Sequence, residues 1–110
     1  IRPSLYESHH RIDAVSSKDG GTIRANVVGP VCESGDFFAN DRVISEVDPG
    51  DLLVLRTTGA YGYSMASNYN SRPRPAEVLV DGDRYAVITQ RESDADLVRR
   101  ETVAPEWIEG

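Results

Sequence analysis

The segment that leaves this chain the fewest options is Glu77-Val78-Leu79-Val80, Asp81-Gly82, Asp83-Arg84-Tyr85-Ala86-Val87-Ile88. Two apolar runs flank a dipeptide whose glycine accepts positive φ without steric cost, and that pattern predicts a two-residue type I′ hairpin. The same grammar recurs upstream. Ile12-Asp13-Ala14-Val15 and Thr22–Val28 alternate apolar and polar residues as half-buried strands do, and the Ser-Lys-Asp-Gly-Gly turn between them predicts a second hairpin. Asp48-Pro49-Gly50-Asp51 is a turn, and Leu52-Leu53-Val54-Leu55 is too short for an amphipathic helix and reads as a strand buried on both faces. Helical signals are brief. Ser4 and Glu7 stand at capping-box spacing and predict a helix over Ser4–His10, one turn is expected near Ser64–Ser67, and Ser93–Arg99 has a capping serine, early acids and late arginines. The expected fold is mainly β, barrel- or sandwich-like, with a few short helices.

With 110 residues the chain makes one domain, residues 1–110, with room for one core. Its formal charge of −6, from 12 basic and 18 acidic residues, argues against a nucleic-acid partner, because phosphate binding needs a basic face. No stretch reaches the roughly 18 apolar residues of a membrane span. A single cysteine makes no internal disulfide, so a cytoplasmic setting is expected. The opening Ile1-Arg2-Pro3 is no signal peptide, and the chain reads as a piece of something longer. Lys18 is its only lysine and lies in a Gly-rich turn, so chemistry that needs a buried, neutral amine must obtain it elsewhere.

The one cysteine stands in Gly29-Pro30-Val31-Cys32-Glu33-Ser34-Gly35-Asp36, beside a carboxylate and bracketed by loop-forming residues. Thiols are strong, readily tuned nucleophiles and acids, although a lone cysteine is more often a small buried hydrophobe. A second segment, Gly59-Ala60-Tyr61-Gly62-Tyr63-Ser64-Met65-Ala66-Ser67-Asn68-Tyr69-Asn70, concentrates tyrosines among small residues. Glycines beside Tyr61 allow close backbone approach to a ligand, and the phenol offers a stacking face and a donor; a tyrosine closing a β core fits equally. Arg2 and Tyr6 share a face if helical, and a guanidinium with a phenol suits a carboxylate. His9-His10 point apart and lack further ligands, so no metal is expected. Arg72-Pro73-Arg74-Pro75 is read as a rigid approach to the Glu77 strand rather than a phosphate clamp. No phosphate loop, dinucleotide fingerprint or nucleophile elbow occurs, so the chain is not a self-contained enzyme.

Arg2-Pro3-Ser4-Leu5-Tyr6, the Cys32 segment, the Tyr61 segment and Ser71-Arg72-Pro73-Arg74-Pro75-Ala76-Glu77-Val78 together resemble, in order and spacing, the C-terminal β domain of the diaminopimelate decarboxylases. These are fold-type III pyridoxal-phosphate enzymes of lysine biosynthesis. The resemblance covers residues 1–92 and leaves the tail from Thr102 unmatched. It implies an α/β barrel, outside this chain, that supplies the Schiff-base lysine for pyridoxal 5′-phosphate. It also implies a homodimer with shared active sites. Cys32 would return a proton to the α-carbon after carbon dioxide leaves, as a thiol largely protonated at neutral pH can do. Glu33 would meet the distal ammonium, Arg2 and Tyr6 the distal carboxylate, and Tyr61 both cofactor and substrate. The implied reaction converts meso-2,6-diaminopimelate to L-lysine and carbon dioxide, with the isolated chain inactive. Two alternatives remain at this point: a relative acting on ornithine, arginine or carboxynorspermidine, whose ornithine branch usually has aspartate where Glu33 stands, and a non-catalytic β-barrel interaction module.

Overall fold

A computed structural model of the chain describes residues 2–16 and 20–110, so the turn that holds Lys18 lies outside the described residues. Two compact units divide at Ala66/Ser67. The first contains α1 (Arg2–Tyr6), β1 (Ile12–Ala14), β2 (Thr22–Val28), β3 (Phe37–Ser45), β4 (Leu53–Leu55) and the single helical turn α2 (Gly59–Gly62). The second contains a 3₁₀ turn (Tyr69–Ser71), β5 (Glu77–Asp81), β6 (Arg84–Thr89) and α3 (Asp94–Val98). Strands predominate and helices are short, as the sequence predicts. Among the described residues the strands form antiparallel pairs, β1 with β4, β2 with β3 and β5 with β6, and no closed barrel.

The expected hairpin between Ile12–Val15 and Thr22–Val28 does not form. Instead β1 pairs with β4, placing Ile12 opposite Leu55 and Ala14 opposite Leu53. A strand only three residues long gains more by burying Ile12 in the common core than by following its nearest turn. β2 pairs with β3, a strand the sequence reading did not identify, with Val28 opposite Phe37. Residues 29–36, including Cys32, are therefore the loop of this hairpin.

β3 escaped notice because it breaks the two-residue period. Ala25 faces Arg42 and Val27 faces Ala39, so Asn40 and Asp41 together oppose Asn26, which is a β-bulge. Asp41 takes φ 48° there, its N–H donates to Asn26 Oδ1 (2.8 Å), and Arg24 Nη1 donates to its Oδ2 (3.0 Å). The extra residue has a packing consequence. In a regular strand Ala39 and Ile44 would face opposite sides, yet both are buried in one core with Ile12. Ile23, Ala25, Val27, Phe38, Leu53 and Leu55 pack around them.

α1 ends at Tyr6, with Glu7 at φ 54°, so it is shorter than expected and starts earlier, and Ser4 lies within it rather than capping it. The expected turn near Ser64–Ser67 begins earlier: α2 runs on into a turn over residues 63–65, closed by Met65 N–H to the Tyr61 carbonyl (3.1 Å) and Ala66 N–H to the Tyr63 carbonyl (2.9 Å). In the second unit the β5–β6 hairpin forms, but Asp81 pairs with Arg84, making Gly82-Asp83 the connection. Gly82 carries the positive φ (64°) at the first loop position, the type II′ arrangement rather than type I′. The expected capping serine of α3 proves to be half of a capping box with Asp96, whose Oδ2 accepts from Ser93 N–H (2.8 Å) and also from Ser93 Oγ (2.7 Å).

Candidate functional site

The tip of the β2–β3 hairpin is closed by its own backbone. Gly29 N–H donates to the Asp36 carbonyl (2.8 Å) and Asp36 N–H to the Glu33 carbonyl (2.9 Å). The Asp36 carboxylate then folds inward, with Oδ2 accepting from Val31 N–H (3.1 Å). It lies so close to Gly29 that a Cβ built there would collide with it unless the carboxylate moved. Within this frame Cys32 and Glu33 are both exposed. Val28, Val31, Cys32, Glu33, Phe37 and Asn40 are among the residues lining an open concavity of about 420 Å³.

Glu33 is oriented from its own loop. Oε1 accepts from Gly35 N–H (2.9 Å) and from Ser34 Oγ (3.2 Å). The Gly35 hydrogen bond, then that of the Ser34 hydroxyl, holds the carboxyl below its ordinary range. Glu33 is thus a preoriented anion beside an exposed thiol, an arrangement suited to a cationic ligand and a proton transfer.

α1 packs on β3 and reaches the same loop. A Cβ built at Gly35 would stand 3.7 Å from Ser4 Oγ and 3.5 Å from Glu33 Oε1. Tyr6 is in the last turn of α1 and exposed; Arg2 is in its first turn, with a side chain outside the described residues. Tyr61 is half exposed on α2, which follows β4. The structure therefore brings Cys32, Glu33 and α1 together and sets Tyr61 on a separate turn of the same unit. The Tyr61 segment of the sequence is not one piece, since Tyr69 belongs to the second unit.

Two features eluded the sequence. His10 resembles its neighbour there, yet His9 is exposed and His10 is buried. Its Nδ1 lies 3.0 Å from the Arg56 carbonyl, which only accepts, so Nδ1 carries the proton. In the second unit Arg74 serves Glu92: its N–H donates to Oε2 (2.7 Å), as does Asn68 Nδ2 (2.6 Å), and these bonds lower the Glu92 carboxyl. Neither contact leaves a sequence signal, because the partners are distant in the chain.

Residues 1–59 match the family model described as the pyridoxal-dependent decarboxylase C-terminal sheet domain. The chain belongs to this family. Among curated members, the diaminopimelate decarboxylase of Neisseria meningitidis serogroup B is 57% identical over 93 residues, 84% of this chain and 22% of that protein. The Archaeoglobus fulgidus diaminopimelate decarboxylase is 48% identical over 109 residues, 98% of this chain and 26% of its own length. That alignment carries the similarity past residue 92 into the tail. The chain thus spans about a quarter of the length of the curated relatives it matches. Two solved structures have the same fold. The M. jannaschii diaminopimelate decarboxylase in co-complex with L-lysine is 40% identical with TM-score 0.86, covering 94% of this chain and 24% of that one. The Helicobacter pylori enzyme complexed with L-lysine is 45% identical with TM-score 0.80, covering 89% and 24%.

A family of this description implies pyridoxal phosphate, and the described residues fit only one side of such a group. Tyr61 offers a ring face and hydroxyl, but the described part of the chain contains no lysine to anchor the cofactor.

Proposed function

We propose that residues 1–110 are the C-terminal β domain of a diaminopimelate decarboxylase, completed by an α/β barrel outside this chain and working as a cytoplasmic homodimer with shared sites. The observation that carries the reading is the hairpin tip, where an exposed thiol adjoins a carboxylate that its own loop keeps ionised. The similarity to diaminopimelate decarboxylases, two of them solved with L-lysine, supports the substrate class. No helix among the described residues is long and apolar enough to cross a membrane.

Conversion of meso-2,6-diaminopimelate to L-lysine replaces one carboxylate with hydrogen, so the site must deliver one proton to the α-carbon as carbon dioxide departs. Pyridoxal phosphate, held by the remainder of the protein, supplies the electron sink for that bond cleavage. Cys32 gives the proton from Sγ to the α-carbon, and solvent restores it. Glu33, an exposed carboxylate held in place by Gly35 N–H and Ser34 Oγ, pairs with the distal ammonium. Arg2 and Tyr6, on α1 beside the loop, take the distal carboxylate. Tyr61 orders cofactor and substrate. Each tip reaches the partner protomer's site.

The test is the full-length protein with added pyridoxal phosphate and meso-2,6-diaminopimelate, with L-lysine read by mass spectrometry. Cys32→Ala should lower kcat by about 10²- to 10⁴-fold, the usual worth of a positioned acid, with little change in KM. Near-normal turnover with a raised KM would remove the proton-donor role.

A further inference from the structure

His10 is the one buried polar side chain among the described residues, and the reaction proposed above does not use it. Its surroundings join the two segments that carry Tyr6 and Tyr61. The ring Nδ1–H donates to the Arg56 carbonyl (3.0 Å). Arg56 N–H donates to the Arg11 carbonyl (2.8 Å), and Arg56 Nε donates to Asp13 Oδ2 (2.8 Å). The His10 carbonyl accepts from Arg42 Nη1 of β3 (2.9 Å). Arg56 is thus held through its N–H, its carbonyl and its side chain, all by residues 10–13.

Thr57 comes immediately after this clamp, at φ 59°. A β-branched residue in the left-handed region is strained and persists only where its surroundings over-determine it. Thr58 follows, with Oγ1 donating back to the Leu55 carbonyl (3.2 Å), and α2 then carries Tyr61. On the other side of His10, α1 ends at Tyr6, and Glu7 just after it is also left-handed at φ 54°. Both tyrosine-bearing turns leave the body of the unit at strained residues that flank one junction.

We infer that His10 is a positioning residue: its ring N–H to the Arg56 carbonyl locks the left-handed Thr57 turn and sets Tyr61 in register with Tyr6. The inference rests on the reading that these tyrosines face substrate. Histidine suits the task because its rigid ring holds one donor at fixed reach, and asparagine presents a donor at nearly the same place as Nδ1.

The experiment uses the full-length protein with His10→Ala, His10→Asn and Thr57→Gly. Hydrogen–deuterium exchange is read over peptides spanning residues 3–9 and 57–66, and kcat and KM for meso-2,6-diaminopimelate are read separately. His10→Ala should speed exchange in both peptides and raise KM, each about tenfold, the effect of one lost hydrogen bond, with kcat within about threefold. His10→Asn should restore most of both. Equal acceleration across β2–β3, or no rescue by asparagine, overturns the inference. Should His10→Ala fail to fold, Thr57→Gly takes its place. Glycine relieves the φ penalty, so thermal stability should hold while exchange over 57–66 and KM rise; wild-type values for both sink the proposal. If the wild-type protein does not decarboxylate this substrate, the reading of function falls, and the exchange data still decide whether His10 locks the two segments.

Discussion

Adding one methyl group at residue 29 should loosen the loop that presents Cys32 and Glu33. A Cβ at Gly29 cannot coexist with the Asp36 carboxylate in its present place, and the two residues cannot separate while Gly29 N–H donates to the Asp36 carbonyl (2.8 Å). The loop has two ways to respond. It can absorb the overpacking, at about 1–3 kcal/mol. Alternatively it can expel the carboxylate and lose the Val31 N–H bond, worth about 1.5–3 kcal/mol to a charged acceptor and less where water can replace it. The cheaper route wins, so Gly29→Ala should cost about 1–2 kcal/mol locally. That corresponds to roughly five- to thirtyfold faster amide exchange at Val31 and Asp36 in the full-length protein. Asp36→Ala alone should release the Val31 amide to a similar degree. In the double variant the methyl no longer meets a carboxylate, so the two costs should fall short of additivity by at least about 1 kcal/mol. Unchanged exchange in Gly29→Ala, or strict additivity in the cycle, would refute the claim that a methyl at residue 29 must displace the Asp36 carboxylate.

Glu33→Gln should reduce kcat/KM for meso-2,6-diaminopimelate by about ten- to a hundredfold, the loss of a charge-assisted hydrogen bond. Mixing that protomer with one lacking the cofactor lysine should restore activity through one intact site per mixed dimer; heterodimers that form yet stay inactive would place Glu33 in its own chain's site. Acid should act on β1–β4 through Asp13, whose carboxyl is held below its ordinary range first by the Arg56 hydrogen bond and then by that of Arg11. This paired carboxylate contributes fully above the ordinary carboxylate range, and its contribution is lost as pH falls through the depressed folded value. Protection of the Arg56 amide should therefore drop only at strongly acidic pH, and Asp13→Asn should remove that dependence; a transition near neutrality would contradict it. Ile44→Ala should destabilise by about 2–3 kcal/mol in urea unfolding, at the low end for a buried isoleucine because partly exposed neighbours can relax. Val43→Ala, on the exposed side of the same strand, should cost under about 0.5 kcal/mol. Equal costs would mean that the bulge does not set which face is buried.

Local chemistry was readable from the residues alone. The alternation in Thr22–Val28, the glycine of the β5–β6 connection, the capping serine of α3 and the loop around Cys32 and Glu33 each depend on residues a few positions apart, where backbone preference and short-range hydrogen bonds decide the outcome. Pairing partners were not readable. Nothing in Ile12–Ala14 names Leu53–Leu55, since any half-buried strand offers the same ladder and only burial of Ile12 selects the partner. The bulge hid β3 for a related reason: Phe37–Ser45 loses its two-residue period where two residues face one, and that mismatch exists only once β2 is alongside. His10 and Thr57 are the clearest cases. Sequence makes His10 the twin of His9 and argues against a left-handed Thr57, whereas the folded unit buries His10 and holds the Arg56 peptide from every side. Several weak long-range contacts, acting together, outweigh one residue's local preference, and such a sum is present only in the tertiary structure.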